Sequence, residues 1–494
     1  MMRILHKCFS KYQALPIQSK AALWFVLCNL VIKGLNFISA PIYTRLLSTG
    51  EYGIMTVYNA YQQVLLIVMT FELTLGAYSR GLLKYADNKE GFTANVILLS
   101  NFITVIVGLV IFIFRKYIFI GTVINSRILS ILIIMLLFQP AYNSWVVRRR
   151  FDNQYKSVVF ATGIYSVASF VIPVICVFVC GRTAEIKIIA SLIVMMIFYF
   201  PFYLNALLKN NTWNNQNLRI VMWKYCFNFQ LPLVFHSLSF LILGQSDRIM
   251  INIMKNPSEA GMYSVAYSVA SIAMVFNTSI NQAFQPFRYK CLEDKNYEEI
   301  KKSTNAILVI MSGIVLTFVL LSPEIFLILF PNQYYEAISA IPPITASVFF
   351  MTIYSVFVDI ESYYEKTGYI MCASLVCALV NIILNYHAIK YFGYLGCGYT
   401  TLISYVLFSI MHYFFMKKAS MRKSDKKSLF DMRVMTFLGA MAILLGFTGE
   451  IIYKYNLIRW GISATVVVLT FIFRKTLKRM LYVANMKKKN GDNR

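Results

Sequence analysis

The sequence predicts an all-α integral membrane protein with about fourteen transmembrane helices, and three observations carry that prediction. Of 494 residues, 58% are hydrophobic and only 14% are charged, whereas soluble domains sit nearer half apolar and a quarter charged. The apolar residues fall in runs of about 20, the length a helix needs to cross the hydrocarbon core. The connections are short, the longest lying near 287–303 and 417–433, so none can hold a soluble catalytic domain of about 50 residues or more. Backbone in lipid must satisfy its own hydrogen bonds, which makes the runs helices. Strands of a barrel would be about half as long and would alternate polar and apolar residues. A disordered, collagen-like or disulfide-scaffold chain is excluded by the same composition.

Taken in order, the runs lie near 21–44, 54–79, 93–114, 126–147, 157–179, 186–208, 221–246, 260–286, 304–330, 337–360, 368–389, 394–416, 434–453 and 457–473. Arg3, Lys7, Lys11 and Lys20 precede the first run. That run is too long for a signal peptide and lacks a small-residue cleavage site, so it is expected to be a retained helix. It carries a polar stripe, Asn29, Lys33 and Asn36. The second carries Glu72, with Gly76 and Arg80 expected on the same helical face. The seventh sets His236 on one face with Asp247, and the eighth aligns Asn277, Asn281 and Arg288. The tenth has a stripe of Thr352, Ser355, Asp359 and Ser362, and the eleventh places Asn381 and Asn385 one turn apart.

Charge sets orientation. The net charge is +26. With the N-terminus in the cytoplasm, the cytoplasmic segments hold 35 Lys and Arg against 11 in the opposite loops. This satisfies the positive-inside rule and puts both termini in the cytoplasm. The tail, with Arg474, Lys475, Lys478, Arg479 and Lys487–Lys489, is expected against anionic lipid headgroups rather than nucleic acid. Nine cysteines form no CxxC and four histidines show no metal-ligand spacing, so neither a disulfide framework nor a resident metal is expected. No GxxxxGK[ST] appears, which argues against an ATP-driven pump.

The chain resembles itself once. Glu51-Tyr52-Gly53-Ile54-Met55-Thr56-Val57 is echoed, 208 residues on, by Glu259-Ala260-Gly261-Met262-Tyr263-Ser264-Val265. An even number of spans separates the copies, so both have one orientation. The expected architecture is two parallel six-helix lobes, 1–208 and 209–416, around a central cavity, as in alternating-access transporters. Residues 417–494 add two helices and the basic tail.

Four stretches carry a resemblance to a known family: Ala40-Pro41-Ile42-Tyr43-Thr44-Arg45-Leu46-Leu47-Ser48 with Glu51-Tyr52-Gly53; Val380-Asn381-Ile382-Ile383-Leu384-Asn385; Gly393-Tyr394-Leu395-Gly396-Cys397-Gly398-Tyr399 with Thr400 and Thr401; and the Glu259–Gly261 repeat. With these the chain resembles the Wzx-type polysaccharide flippases of the multidrug/oligosaccharidyl-lipid/polysaccharide (MOP) exporter superfamily, over residues 20–416. The resemblance implies a MATE-like fold and no catalysis. It implies movement of undecaprenyl-diphosphate-linked oligosaccharide from the inner to the outer leaflet of the bacterial plasma membrane, for O-antigen or capsule. Membrane lipids, a polysaccharide polymerase and chain-length proteins are the implied partners. No cofactor is implied beyond an H+ or Na+ coupling ion.

Depth and face nominate the site residues. Lys33, Arg45, Arg80, Arg248 and Asn281 are candidates to meet the diphosphate and acidic sugars. Glu72, Asp247, Asp359 and His236 are candidates for ion coupling. Each has a plainer alternative: a structural Lys33–Glu72 ion pair, interfacial arginine anchors, a snorkelling Asp359, a packed polar His236, and asparagines that glue helices together. Two rival functions stay open. A drug or cation antiporter of the same superfamily would favour an acidic, aromatic cavity. A membrane-embedded polymerase would need an enlarged external loop.

Overall fold

The computed structural model describes residues 17–74, 76–119, 122, 124–152, 154–208, 216–420 and 429–472. The basic tail and Arg3, Lys7 and Lys11 lie outside these residues, as does the side chain of Asn29. All regular structure among the described residues is helical. In chain order the α-helices are α1 (Ile17–Leu46), α2 (Thr49–Thr70), α3 (Gly76–Lys84), α4 (Lys89–Ile118), α5 (Ser126–Phe151), α6 (Tyr155–Cys180), α7 (Ala184–Leu208), α8 (Gln216–Met254), α9 (Pro257–Glu293), α10 (Tyr297–Leu329), α11 (Ile341–Tyr363), α12 (Thr367–Phe392), α13 (Gly396–Ser420), α14 (Met432–Ile452) and α15 (Asn456–Ile472). All but α3 match the fourteen expected spans.

Ten helical stretches among the described residues are long and apolar enough to cross a membrane, one of them, 367–420, containing both α12 and α13. Large apolar side chains stand exposed along them, including Ile113, Phe160, Phe178, Ile197, Leu379 and Phe414. A soluble monomer does not expose so much apolar surface; lipid covers it in a multi-pass membrane protein.

Two compact units divide between Leu238 and Ser239. The division falls inside α8. The first half of α8 belongs to the first unit because its side chains are packed there: Met222 and Cys226 share a core with Tyr78, Leu82 and Phe92. Trp223 donates its indole N–H to the Asn95 carbonyl at 3.0 Å.

The second unit is built around α11. Nearly every α11 side chain is buried, polar ones included, the mark of a helix surrounded by others. Its core joins Phe349, Val356 and Phe357 with Leu308, Met311, Leu402, Phe408 and Met435. Helix α14 approaches closely through Gly449, where an added Cβ would stand 2.7 Å from the Pro342 Cβ. Helix α15 is fixed to α10 by a buried arginine: Arg459 donates to both carboxylate oxygens of Glu324 at 2.8 Å and to the Leu320 carbonyl at 2.7 Å.

The internal repeat is structural as well as sequential. Ser48 accepts the N–H of Glu51 at 3.2 Å, and Asn256, 208 residues later, accepts the N–H of Glu259 at 2.9 Å. Both are side-chain caps at the starts of long helices, α2 and α9. Inside those helices Thr56 bonds the Gly53 carbonyl at 2.9 Å and Ser264 bonds the Ala260 carbonyl at 2.7 Å. Glu51 also accepts the N–H of Ala184 at 2.5 Å, capping α7. Its counterpart Glu259 lies beside Gly393, where α12 ends.

One expectation is corrected. Run 54–79 is not one helix: α2 stops at Thr70, and Phe71 and Glu72 take φ values of 54° and 45°. Glu72 therefore shares no helical face with Gly76 and Arg80. The break survives because neighbouring polar side chains satisfy the freed backbone. Thr104 donates to the Met69 carbonyl at 2.9 Å and Ser100 to the Thr70 carbonyl at 3.1 Å. On the far side, Gln230 accepts the N–H of Ala77 at 3.0 Å. Interrupted helices persist at membrane depth where protein supplies such partners.

Candidate functional site

The second unit holds a buried polar cluster centred on Asp247, which is 0% exposed. An isolated carboxylate there would carry a large desolvation cost. Four side chains offset it: Tyr263 donates at 2.5 Å, Asn385 at 2.8 Å, Thr401 at 3.3 Å and Ser246 at 3.4 Å. A second layer holds the first. Asn381 accepts from Asn385 at 3.1 Å and from Ser246 at 3.1 Å, and donates to Ser404 at 3.1 Å. Thr400 donates to Asn385 and bonds the Cys397 carbonyl at 3.0 Å.

These residues come from α8, α9, α12 and α13, and they draw on two of the four stretches that carried the family resemblance, 380–385 and 393–401. The one-turn spacing of Asn381 and Asn385 is what aims both amides at α8 and α13. The cluster offers one carboxylate with amide, hydroxyl and carbonyl oxygens and no sulfur or imidazole. That is a donor set for a hard cation, Na+ or H+, and not for zinc or a redox metal.

Beside it, Arg248 is buried and hydrogen-bonded through Nε and Nη1. It donates to Ser264 at 3.2 Å, to the Gly244 carbonyl at 3.0 Å and to Gln245 at 2.6 Å, and its guanidinium lies 4.3 Å from the Tyr267 ring centroid. His236 is half-buried and falls in the first unit.

A second buried cluster joins two stripes seen in the sequence. Arg288 of α9 donates its Nε to Asp359 of α11 at 2.8 Å and closes a second bond to the same oxygen through Nη2. Gln285 donates to the other Asp359 oxygen at 2.7 Å. Asn281 accepts from Arg288 at 3.4 Å and donates to Asn277, which in turn accepts from Thr352 at 2.9 Å. Asp359 is thus a paired interior carboxylate and not a snorkelling end group.

The remaining expected residues lie in the first unit. Lys33, Arg45 and Arg80 are exposed. Arg45 donates to the Pro41 carbonyl at 3.0 Å, the same one-turn bond that Arg248 makes to Gly244. Glu72 stands half-buried at the helix break, its backbone N–H bonded to the Thr70 hydroxyl at 3.3 Å. A cavity of about 260 Å³ is lined in part by Glu90, Ser144, Trp145, Arg148, Arg149 and Asn205. Its arginines are engaged by Glu90 and Gln154.

Sequence reasoning missed two ionisable pairs, one of them wholly buried. One is Arg459–Glu324; the other joins Glu361 of α11 to His412 of α13. Their members lie 135 and 51 residues apart, and no local pattern marks them.

Among the described residues, fourteen long helices with short connections and buried polar clusters in the second unit define a multi-pass transporter with the MOP-superfamily fold. The fold resembles that of the lipid II flippase MurJ in an inward closed conformation (TM-score 0.61, 14% identity, covering 92% of this chain and 100% of that one). It also resembles an inward-facing MATE family multidrug resistance transporter of the MOP superfamily (TM-score 0.62, 11% identity, 82% and 100% covered). At these identities the likeness is one of fold. A family profile described as polysaccharide biosynthesis protein matches residues 19–289, more than half of the chain, and the chain belongs to that family. A MatE profile matches residues 232–387. Among curated proteins, Lsg locus putative protein 1 of Haemophilus influenzae is 24% identical over 281 residues, 56% of this chain and 67% of that protein. The chain is therefore a MOP-family transporter of polysaccharide biosynthesis and not an enzyme.

Proposed function

We propose that the protein is a flippase for polyprenyl-diphosphate-linked oligosaccharide repeat units. It would carry them from the inner to the outer leaflet of the bacterial plasma membrane for O-antigen or capsule assembly, where polymerase and chain-length proteins receive them. Membership of the polysaccharide biosynthesis family over residues 19–289 is the observation that carries this reading. The physics agrees with it. A headgroup of several sugars on a diphosphate cannot cross hydrocarbon unaided, whereas its lipid tail can stay in the bilayer. No bond need be made or broken, so no catalytic residue is required.

In this reading Lys33, Arg45 and Arg80, exposed on the first unit, are the cations that meet the diphosphate. Arg248 and Asn281 are committed to bonds within the second unit, and their proposed part is to hold Asp247 and Arg288 in place. Coupling is proposed at Asp247, with Asn381, Asn385 and Thr401 supplying the remaining oxygens for Na+ or H+. The basic-residue count puts that cluster toward the outer face, where a cation moving inward enters. Glu72 and His236 are the first unit's candidates for the same task, and both termini are placed in the cytoplasm.

The test is complementation of a bacterium lacking its own flippase, scored by surface glycan, together with vesicles carrying a fluorescent lipid-linked sugar. Restored glycan and gradient-driven flipping are expected. Normal surface glycan in Lys33→Ala, Arg45→Ala and Arg80→Ala variants would remove the cationic-site assignment. A drug or cation antiporter is the second reading, favoured by the MatE match at 232–387; the vesicles would then move an organic cation and leave the lipid-linked sugar in place.

A further inference from the structure

Helix α11 carries two buried carboxylates, Asp359 and Glu361. Two residues on an α-helix turn through about 200°, so the pair project to opposite sides. Asp359 meets Arg288 of α9. Glu361 meets His412 of α13, whose Nδ1 lies 3.0 Å from one carboxylate oxygen and 3.2 Å from the other. Both side chains of this second pair are 0% exposed. An arginine keeps its proton at any accessible pH, so the first pair is a fixed tie. The second joins a carboxylate to an imidazole, and an imidazole carries no fixed charge.

The second nitrogen of His412 makes the pair unusual. Nε2 is buried and has no hydrogen-bond partner among the described residues. Its surroundings are aromatic: the Phe408 ring centroid is 4.5 Å from the imidazole and the Tyr354 ring is stacked at 5.9 Å. Three protonation states can be compared. A neutral imidazole donating from Nδ1 to an ionised Glu361 leaves a net negative charge in an apolar site. A proton on Nε2 as well makes the pair neutral overall but leaves one N–H unbonded. A proton on Glu361 donated to Nδ1 also leaves the pair neutral, with Nε2–H unbonded. A buried uncompensated charge costs more than one unmade hydrogen bond, so the neutral states win and the pair holds the extra proton.

We propose that Glu361–His412 is a proton-binding site. It is loaded when α11 and α13 are packed as here. It releases its proton when those helices part and water reaches Nε2. The neighbouring groups do not supply an alternative partner. Tyr354 of α11 and Phe408 and Tyr405 of α13 line the site with rings. Arg288 of α9 is taken up by Asp359 on the opposite face. Lys301 of α10 is paired with Asp431 at the start of α14, at 3.7 Å. From α12, Cys377 contributes a thiol directed at Met411.

The site deepens the coupling half of the proposed function and rests on it for its biological role, although proton binding itself does not. Thr401, in the Asp247 cluster, and His412 lie on the same helix, eleven residues or about 16 Å apart. One unit would then hold a cation site toward each end of α13.

Nitrogen-15 NMR of histidine in the full-length protein in sodium-free detergent solution tests the proposal, because the chain has only four histidines, 6, 236, 387 and 412. His412→Gln assigns the His412 signals. Should that variant not fold, a chain with His6→Gln, His236→Gln and His387→Gln keeps His412 as its only histidine. With α11 and α13 packed, the His412 Nε2 signal is expected to be that of a protonated nitrogen, as both neutral states require. Glu361→Gln, which removes the charge that the extra proton compensates, is expected to leave the imidazole with a single proton. A bare Nε2 in the wild-type chain would overturn the proposal, leaving a purely structural pair. Flipping that ignores a pH gradient, with Nε2 still protonated, would count against coupled transport and not against the site.

Discussion

Asn385 donates to Asp247 across 2.8 Å, joining side chains 138 residues apart in the chain. The bond ties α12 to α8 at the one fully buried aspartate of the second unit among the described residues. It also orients the amide whose oxygen accepts from Thr400. If Asp247 holds the coupling cation, this amide is one of its positioning groups. A hydrogen bond to a charged group is worth about 1.5–3 kcal/mol, so Asn385→Ala should weaken cation binding about 10- to 100-fold. Stabilisation of the purified protein by sodium, followed in a thermal melt, reads that loss directly. An unchanged sodium response would remove Asn385 from the site.

The Arg288–Asp359 pair predicts asymmetry between single and double substitution. Arg288→Met leaves a buried carboxylate with only Gln285 for company, and should cost about 3–5 kcal/mol. Arg288→Met with Asp359→Leu removes both charges and should recover most of that loss. Unfolding in detergent distinguishes the two. Equal destabilisation by the single and the double variant would mean that the aspartate is not the source of the cost.

Arg459 is expected to anchor α15. Its guanidinium holds Glu324, the Leu320 carbonyl and Asn456 together. Arg459→Leu should free α15, with faster amide exchange at 456–466, while the Asp247 cluster stays protected. Loss of protection at both places would show that the C-terminal helices are integral to the core of the unit.

The break at 71–74 depends on borrowed hydrogen bonds. Gln230→Leu removes the acceptor for the Ala77 N–H and should cost about 1–3 kcal/mol. Exchange at 76–78 should accelerate more than at 55–65. A protein indifferent to this change would show that water serves the start of α3 equally well.

Much of the fold was legible because hydropathy alone measures span length: each of fourteen apolar runs overlies a long helix. The polar stripes were legible for the same periodic reason, and Asn277, Asn281 and Arg288 do meet Thr352 and Asp359. What periodicity cannot show is a break without punctuation. Phe71-Glu72-Leu73-Thr74 contains neither glycine nor proline; its partners Ser100, Thr104 and Gln230 lie on other helices. Pairing across helices is equally silent. Glu361 stands beside the more prominent Asp359, and His412 is one histidine in an apolar run, so only the packing of α11 against α13 brings them together. Arg45 was legible by motif, yet its one-turn bond to Pro41 required coordinates to relate it to Arg248.

The central claim, a flippase driven by a cation bound at Asp247, is tested most directly in vesicles holding a fluorescent polyprenyl-diphosphate-linked sugar, with and without an inward sodium or proton gradient. The wild-type protein should flip the lipid when the gradient is imposed, and Asp247→Asn should lose the gradient dependence while remaining folded. Flipping that proceeds equally without a gradient, or survives intact in Asp247→Asn, would contradict it.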